Sequence, residues 1–340
     1  MTSTTSSSGK NPTVFEVAQH AGVSAMTVSR VLSGGEQVAP ATRERVLSSV
    51  RALGYQRNNV ARALRPGQRS CLIGVVVSNI DNPYYSQLVI GIEERANESG
   101  RRILLAGSSE DDAREREIIA DFLGWRVEGL IAVPTGSTAT WQPQHLGGIP
   151  VVFASRTLPS GQGDSVVIDD TGGAREVTAR LLARGHTRIA FLGNSDRVST
   201  GRRRYRGYRD AHEAAGLAVD PGLVVRGQPA VANARDSAMS LLAVPGPPTA
   251  VFATNNRYGV GLLQAMAKLH GHHPANGPAI AVFDPFELSE LVPWPLMTLR
   301  HDPRELGRQA ADLLLRRLDN ELTGPPQHTT LTTSVLEQSP

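Results

Sequence analysis

The stretch VFEVAQHAGVSAMTVSRVLS, residues 14–33, decides how the amino-terminal part of this chain folds. Its apolar residues recur at helical spacing in two short segments, and Gly22 lies between them, where the chain must reverse and a positive φ costs a glycine little. Ser24 is placed to cap the second segment, because its hydroxyl can accept a hydrogen bond from an unpaired backbone N–H. The stretch therefore predicts a helix-turn-helix. The residues predicted to form its core are Val14, Val17, Ala18, Ala21, Val28, Val31 and Leu32.

The second predicted helix has an outer face of small and hydrogen-bonding side chains, which suit a DNA major groove. A helical hairpin alone does not decide the function, because any such hairpin buries one stripe and exposes the other. The charge distribution does: residues 1–70 hold nine Lys and Arg against three acids, a net charge of +6, whereas residues 71–340 hold 26 against 29, a net charge of −3. Basic charge confined to one small module is typical of phosphate binding, so this module is predicted to bind DNA.

Two further segments follow the helix-turn-helix. Residues 40–53 predict a third helix, and Ala39 before it lacks a capping side chain, which should weaken the start of the helix by about 1 kcal/mol. Residues 58–65 are basic, rich in alanine, and followed by a Pro-Gly pair. Because so short a segment does not form a stable helix alone in water, it is predicted to be a linker that becomes ordered only against a partner.

The composition is that of a globular protein with several cores, because the chain has 340 residues of which 40% are hydrophobic. Residues 1–12 are rich in Ser and Thr and have no apolar run, so we expect a disordered tail without an export signal. No run of about 18 apolar residues occurs, which argues against a membrane span. The single cysteine, Cys71, leaves no internal disulfide and suits a reducing cytoplasm, where we expect the protein to be located.

From residue 72 onward, apolar runs alternate with amphipathic segments. Strand and helix in alternation imply parallel sheets with helices on both faces, and two successive series imply two lobes. The predicted fold is an all-α headpiece followed by an α/β region of two doubly wound parallel-sheet lobes. Strands are predicted at residues 72–78, 103–106, 130–133, 151–154, 166–168, 189–193, 224–225, 251–254, 280–283, 296–299 and 329–336. Helices are predicted at residues 84–99, 114–125, 174–183, 204–215, 234–242, 259–269 and 304–319.

Polar side chains follow many of these strands. Because ligands of open α/β sheets bind beyond the carboxyl ends of the strands, these side chains are the candidate binding residues. A guanidinium, an amide and a carboxylate together can hydrogen-bond several neighbouring hydroxyl groups, and an aromatic ring can cover the apolar face of a sugar. Each residue could instead anchor a loop or belong to a structural ion pair. The candidates are Asn79, Tyr84, Tyr85, Ser155, Arg156, Arg204, Asn255, Asp284 and His301.

These motifs together resemble a known family. The string V-x-x-V-A-x-x-A-G-V-S-x-x-T-V-S-R-V-L, followed by TRERV at 42–46 and LGY at 53–55, is similar to the headpiece of the LacI/GalR bacterial transcription regulators. The resemblance continues to the C-terminus and implies a periplasmic-binding-protein-like clamshell with three crossovers between its lobes. The implied domains are a tail at 1–12, a headpiece at 13–57, a hinge helix and linker at 58–70, and an effector-binding and dimerisation domain at 71–340. Its N-lobe is expected at about 71–154 and 298–324, and its C-lobe at about 157–295 and 326–340.

The resemblance also implies roles for individual residues. Arg204, Asn255 and Asp284 match the family's effector-binding positions, and Leu64 matches the leucine that wedges between base steps from the minor groove, although it could instead pack on the headpiece. On the second helix, Arg30 can pair with a guanine or clamp a phosphate. The expected base contacts are Ala25, Met26 and Arg30, and the expected phosphate contacts are Ser24, Thr27 and Ser29. The expected contacts on the hinge are Asn58, Arg62 and Leu64.

Two departures from the family pattern bear on the ligand. Where many relatives have an acid after the strand that leads to the first crossover, this chain has Ser155 and then Arg156. A serine and an arginine in place of a carboxylate make the predicted pocket more positive, which favours a sugar acid or another anionic metabolite over a neutral sugar. The acidic strand end reads FDP, with Pro285 after Asp284.

The expected function is a DNA-binding transcriptional regulator, by resemblance a homodimer on a palindromic operator of double-stranded DNA. A small sugar or sugar-acid effector would shift the lobes and so change whether the two hinges of the dimer can pair and fold. An inducing and a co-repressing effector would use the same residues, so the sequence does not distinguish them. We take repression relieved by ligand as the default, because it is the commoner pattern in the family. Because no heptad run follows the last predicted strand, a dimer is expected rather than a tetramer.

Two other classes of protein share parts of this pattern. An α/β enzyme is disfavoured because the chain has no G-x-G-x-x-G after the first strand, no G-x-x-x-x-G-K-[ST], no G-x-S-x-G and no H-E-x-x-H, so neither a cofactor nor a catalytic residue is predicted. The histidines at 270, 272 and 273 lie in a predicted loop without acids or thiols, so no metal site is predicted. A periplasmic binding protein shares the clamshell, but the basic headpiece and the missing export signal argue against it.

Overall fold

The computed structural model describes residues 12–32, 34, 37–56, 69–227, 230–271, 277–287 and 289–338. The chain divides into two compact units, residues 1–68 and residues 69–340. Three sets of residues named from the sequence lie outside the described ones. They are the predicted tail apart from Pro12, the hinge residues Asn58, Arg62 and Leu64, and the histidines His272 and His273.

The described part of the first unit consists of three helices, α1 (Val14–Ala21), α2 (Ala25–Leu32) and α3 (Pro40–Leu53). A capping box begins α1, because the side chain of Thr13 accepts from the backbone N–H of Glu16 while the Glu16 carboxylate accepts from the backbone N–H of Thr13. Gly22 ends α1 at φ 62°, as the turn requires.

The core of the first unit lies between its three helices. The fully buried residues are Val17, Ala18, Ala21, Val28, Val31 and Val46, and Val14 and Leu32 are half-buried against them. The apolar stripes of α1 and α2 therefore meet as their helical spacing predicts, and α3 closes the third side. The start of α3 is uncapped, since Ala39 makes no side-chain hydrogen bond.

The second unit alternates strands and helices along the chain. Its described strands are β1 (Leu72–Val77), β2 (Arg102–Gly107), β3 (Gly129–Ala132), β4 (Val151–Ala154), β5 (Asp164–Ile168), β6 (Ile189–Asn194), β7 (Val224–Gly227), β8 (Ala250–Ala253), β9 (Ala279–Val282), β10 (Leu296–Arg300), β11 (His328–Leu331) and β12 (Ser334–Gln338). Its described α-helices are α4 (Pro83–Glu98), α5 (Asp112–Gly124), α6 (Asp170–Ala183), α7 (Ser199–Ala214), α8 (Val231–Leu242), α9 (Asn256–His270) and α10 (Pro303–Leu318).

The strands form two six-stranded sheets, one in each lobe. The first has the order β11-β5-β4-β3-β1-β2, and the second has the order β12-β10-β9-β8-β6-β7. Neighbouring strands are parallel except for the antiparallel pair β10 and β12. The predicted fold class of two doubly wound, mostly parallel lobes is confirmed, and the carboxyl ends of β1, β2, β4, β6, β8 and β9 come to the cleft between the lobes.

The structure corrects the predicted lobe boundaries. The strand β5 pairs with β4 in the register Phe153↔Ser165 and therefore belongs to the first lobe, whereas the sequence placed it in the second. The predicted single strand at 329–336 is two strands, β11 in the first sheet and β12 in the second. The three crossovers consequently lie at Asp169, at residues 301–302 and at residues 332–333.

Close helix packing fixes α10 against α4 in the first lobe. A Cβ atom on Gly91 would lie 1.9 Å from the backbone oxygen of Arg304, and one on Gly307 would lie 2.1 Å from the backbone oxygen of Leu88. The two helices thus approach to backbone contact, which only glycine permits at these positions. No helix among the described residues is long and apolar enough to cross a membrane.

Candidate functional site

A cavity of about 220 Å³ lies in the cleft between the two lobes of the second unit. Eight of the nine candidate residues named from the sequence line it: Asn79, Tyr84, Tyr85, Ser155, Arg156, Arg204, Asn255 and Asp284. The ninth, His301, does not line the cavity. Its side chain is fully buried, and its Nε2 lies 2.9 Å from Oδ1 of Asp284. His301 therefore orients the carboxylate that faces the cavity.

The loop after β1 and the first turn of α4 form one wall of the cavity. Asn82 caps α4 by accepting from the backbone N–H of Tyr84 at 3.1 Å, and this places Tyr84 and Tyr85 at the cleft with their ring centroids 5.1 Å apart. The Tyr84 hydroxyl donates to Oγ of Ser155 at 3.0 Å. Burial raises the pKa of Tyr84 far above its ordinary value, so this phenol remains a donor.

Three residues of the cavity lining have strained backbones. Ser109, Glu110 and Ser155 line the cavity and have φ values of 56°, 61° and 65°. Non-glycine residues rarely adopt this left-handed region, and each such residue costs roughly 1 kcal/mol or more. Strain of this kind is typical of ligand-binding sites, where the surrounding structure holds the backbone in place.

Arg156 does not give the cavity the positive charge predicted from the sequence. Its Nη1 and Nη2 donate to the two oxygens of Glu110 at 2.8 and 2.7 Å, and Nη1 also donates to the backbone oxygen of Pro134 at 3.2 Å. Burial alone would raise the pKa of Glu110, but the Arg156 guanidinium holds this pKa below its usual range. The pair is therefore ionised. The charge of Arg156 is cancelled, and the expected preference for a sugar acid loses its original reason.

The opposite wall carries a second buried ion network. Nε of Arg204 donates to Asp170 at 2.8 Å, and its Nη1 donates to the backbone oxygen of Thr254 and lies 3.5 Å from Oδ2 of Asp284. The Arg204 guanidinium also lies 3.6 Å above the ring of Phe283. Burial alone would raise the pKa of Asp284, but the Arg204 guanidinium holds this pKa below its usual range. Asp284 therefore faces the cavity as a carboxylate.

Asn255 lies between these charged groups at the end of β8. Its Oδ1 accepts from the backbone N–H of Tyr258 at 2.9 Å and so caps α9, while its Nδ2 donates to Oδ1 of Asn194 at 3.3 Å. The amide orientation is therefore fixed by the fold. Together with Arg204 and Asp284, it presents donors and acceptors that match neighbouring hydroxyl groups.

Sequence reasoning missed several residues of the cavity. They are Ser78, Asn82, Ser109, Glu110, Asn194, Thr200, Ala230 and Arg257. The strand-end rule that found Asn255 would also have found Asn194 at the end of β6 and the pair at 109–110 after β2. Arg257 lies in the first turn of α9 and lines the cleft, and the strand-end rule does not cover residues inside a helix.

Polar contacts join the two lobes at the rim of the cavity. Nδ2 of Asn256 donates to Oδ1 of Asn82 at 2.7 Å, and Nη1 of Arg257 donates to Oδ2 of Asp81 at 3.0 Å. At another point of the rim, Arg197 donates to Asp112 at 2.8 Å. The described lobes are therefore in direct contact on either side of the cavity.

The described candidate DNA-binding residues lie on and before α2. Oγ of Ser24 accepts from the backbone N–H of Thr27 at 3.1 Å, as a helix cap, and lies 2.9 Å from the Thr27 hydroxyl. Met26 is 65% exposed and Arg30 is exposed, whereas Ala25 and Ser29 are half-buried. Phe15 on α1, 73% exposed, is a large apolar group that the helical stripe leaves outside the core. Exposed apolar and basic side chains on the outside of this unit are available to a partner.

The described residues contain no group of three His, Cys, Asp or Glu side chains placed to hold a metal ion.

Comparison with protein families gives two matches. Residues 13–58 match the family described as bacterial regulatory proteins, lacI family. Residues 70–336 match periplasmic binding proteins and the sugar binding domain of the LacI family. The first match lies within the first compact unit, and the second match lies within the second unit.

Individual relatives agree with these matches. The chain is 32% identical over 302 residues to the HTH-type transcriptional regulator DegA of Bacillus subtilis, covering 87% of this chain and 88% of the relative. It is 31% identical to the ribose operon repressor of Escherichia coli K12, covering 90% of this chain and 93% of the repressor. A crystal structure of the lac repressor dimer bound to operator and the anti-inducer ONPF is 25% identical, with a TM-score of 0.82, and the match covers 96% of this chain and 98% of that one.

Proposed function

The chain belongs to the LacI family of bacterial regulatory proteins, and we propose that it is a sequence-specific transcriptional repressor whose operator affinity is set by a carbohydrate ligand. One observation carries the proposal: a single chain combines a basic helix-turn-helix with a polar cavity between two lobes. Neither part alone would couple a metabolite to a gene, whereas the combination can.

DNA recognition is assigned to α2. Arg30 is exposed near its end and can bind a guanine edge or a phosphate, while Met26 offers apolar contact to a thymine methyl. Ser24 and Thr27 form the helix start and suit phosphate contacts, because helix amino termini attract anions. Two such units in a homodimer would read a palindromic operator.

The carbohydrate is assigned to the cavity. Arg204, Asn255 and Asp284 supply donors and acceptors for vicinal hydroxyl groups, and the rings of Tyr84 and Tyr85 supply an apolar edge. A volume of about 220 Å³ suits one sugar ring or little more. A ligand that bridges both walls favours the closed arrangement of the lobes by its differential affinity for that state.

We assign no catalytic role to the cavity, because its buried carboxylates are ion-paired or hydrogen-bonded and support ligand binding. Regulation of transcription places the protein in the cytoplasm.

The hinge at residues 58–65 is the segment proposed to transmit lobe closure to the operator, through folding of the two hinges against DNA.

The proposal is tested by electrophoretic mobility shift with full-length protein and the DNA upstream of its own gene. We expect binding at least a hundredfold tighter than to random duplex at the same salt concentration, and a change in that affinity when hexoses, pentoses and sugar acids are added in turn. Sugar binding without promoter binding would instead show a binding protein of the periplasmic type. Absence of both would contradict the proposal.

A further inference from the structure

Three arginines line the cavity, and they differ in how their charge is neutralised. Arg156 and Arg204 are 3% and 4% exposed, and each is bonded to a buried or nearly buried carboxylate. The partner of Arg156 is Glu110, and the partners of Arg204 are Asp170 and Asp284. A ligand anion gains little from either arginine, because each guanidinium is already paired with a carboxylate that is largely buried beside it.

Arg257 is neutralised only weakly. Among the described residues, its ion-pair partner is Asp81, whose side chain is 80% exposed. An exposed ion pair contributes little, since water competes for both charges. Arg257 is therefore the cation of the cavity wall that retains most of its attraction for a ligand.

One donor of Arg257 is buried and unused. Its Nε is buried and has no hydrogen-bond partner among the described residues, while Nη1 is occupied by Asp81. In a guanidinium, Nε–H and Nη2–H lie side by side on the edge away from Nη1. That edge is a planar fork that matches the two oxygens of a carboxylate. A buried donor left without a partner is unfavourable, and a ligand acceptor would remove that cost.

The position of Arg257 favours an anion further. It lies in the first turn of α9, a 15-residue helix whose positive end faces the cleft, and two residues after Asn255. A group bound by the fork would thus lie beside the hydroxyl groups assigned to Asn255.

We propose that the ligand is a sugar acid and that the Nε–Nη2 edge of Arg257 binds its carboxylate. This inference rests on the proposed function and names the chemical class of its ligand. The sequence favoured a sugar acid because of Arg156, whereas the structure favours a sugar acid because of Arg257. A sugar phosphate presents the same pair of anionic oxygens, so the test includes it as a separate arm.

The test is isothermal titration of the full-length protein with matched pairs of ligands at constant ionic strength. The pairs are D-glucose with D-glucuronate and D-galactose with D-galacturonate, and the phosphate arm is the 6-phosphate of each hexose. In at least one pair we expect the uronate to bind at least tenfold more tightly than its hexose. Arg257→Lys keeps the positive charge but removes the fork, so it should lower this ratio at least tenfold.

Asp81→Asn is the matched control, because it removes the ion pair at the rim and leaves the fork intact. It should keep the ratio or raise it. Thermal melting of each variant checks that the fold is retained, and Arg257→Gln serves as a second variant if the lysine variant does not fold.

Each outcome decides the assignment. A hexose that binds as tightly as its uronate, or a ratio unchanged in Arg257→Lys, would overturn it while leaving the proposed function standing. A 6-phosphate that binds more tightly than the uronate, with a preference lost in Arg257→Lys, would support the fork and name phosphate as its ligand. If no sugar binds although promoter DNA does, the sugar-sensing part of the proposed function fails, and the assignment fails with it.

Discussion

At the scale of single residues, the function of α2 depends most on Arg30. It is exposed, and its guanidinium can form two hydrogen bonds with a guanine edge or clamp a phosphate. Arg30→Ala should reduce promoter affinity by roughly 1 to 3 kcal/mol, measured by fluorescence anisotropy at fixed salt. Arg175→Ala, which removes an exposed arginine from the second unit, is the control with the same change in net charge. Equal affinities for the two variants would contradict the assignment.

The buried Glu115 couples the stability of the first lobe to pH. It accepts from the Thr135 backbone N–H at 2.9 Å and from Nε1 of Trp141 at 3.1 Å. The Thr135 hydroxyl lies 2.6 Å from Asp112 and 3.0 Å from Glu115, and one hydroxyl proton serves only one of these carboxylates. A proton on one of these carboxyl groups would make the second contact a hydrogen bond as well, with the Thr135 hydroxyl as its acceptor. Burial raises the pKa of Glu115 to about 7, so Glu115 holds a proton below that pH.

Because the folded state binds this proton more tightly than the unfolded state, the contribution of Glu115 to stability is complete below a pH of about 4.5 and is lost as the pH rises through about 7. In the wild type, the free energy of unfolding should fall by an amount on the order of 3 kcal/mol between pH 4.5 and 8, and Glu115→Gln should abolish this fall. Urea unfolding at each pH measures both. Glu117→Gln, on the exposed side of the same helix, is the control. Parallel pH profiles for wild type and Glu115→Gln would refute the argument.

Residue types at strand ends predicted much of the cavity but not its charge. Asn255 and Asp284 were found because a polar residue directly after a buried parallel strand lies at the cleft. Arg204 lies within α7 and was found only from its match to the family's effector-binding positions. The pairing of Arg156 with Glu110 joins residues 46 positions apart, and only the fold shows that they meet. A sequence therefore identifies which side chains reach a cleft more readily than which of them remain free to bind.

At the scale of elements, the contact between α4 and α10 should be sensitive to a single methyl group. Gly91→Ala would place its Cβ 1.9 Å from the backbone oxygen of Arg304, so the helices must separate. We expect a loss of about 1 to 3 kcal/mol in the free energy of unfolding. Gly124→Ala has open space around the added Cβ and should instead stabilise the protein slightly, as alanine favours a helix. Destabilisation of both variants by the same amount would contradict the packing argument.

The order of elements followed from periodicity, but their assignment to a lobe did not. Every predicted helix and strand from residue 72 to 300 has a counterpart in the structure within a few residues. The strand β5 was misplaced because apolar runs in both lobes are alike, and pairing with β4 is a long-range choice. The break between β11 and β12 was missed because Thr332 and Thr333 continue the composition of a strand. The capping box of Thr13 and Glu16, by contrast, was visible in the sequence and overlooked.

At the scale of the whole molecule, charge is divided between the two units, with a net of +6 in residues 1–70 and −3 in residues 71–340. The basic unit is suited to phosphates, and the cavity of the other unit has its buried charges internally paired. This division is what a protein needs if it is to bind DNA through one unit and a small polar ligand through the other.

The central claim is that ligand in the cavity and DNA on the helix-turn-helix are thermodynamically coupled. The most direct measurement determines the promoter affinity with and without the bound sugar, and the sugar affinity with and without promoter DNA, at one salt concentration. We predict that each ligand weakens the binding of the other at least tenfold and by the same factor, because coupling free energy is reciprocal. A sugar that binds the full-length protein but leaves promoter affinity unchanged would contradict it.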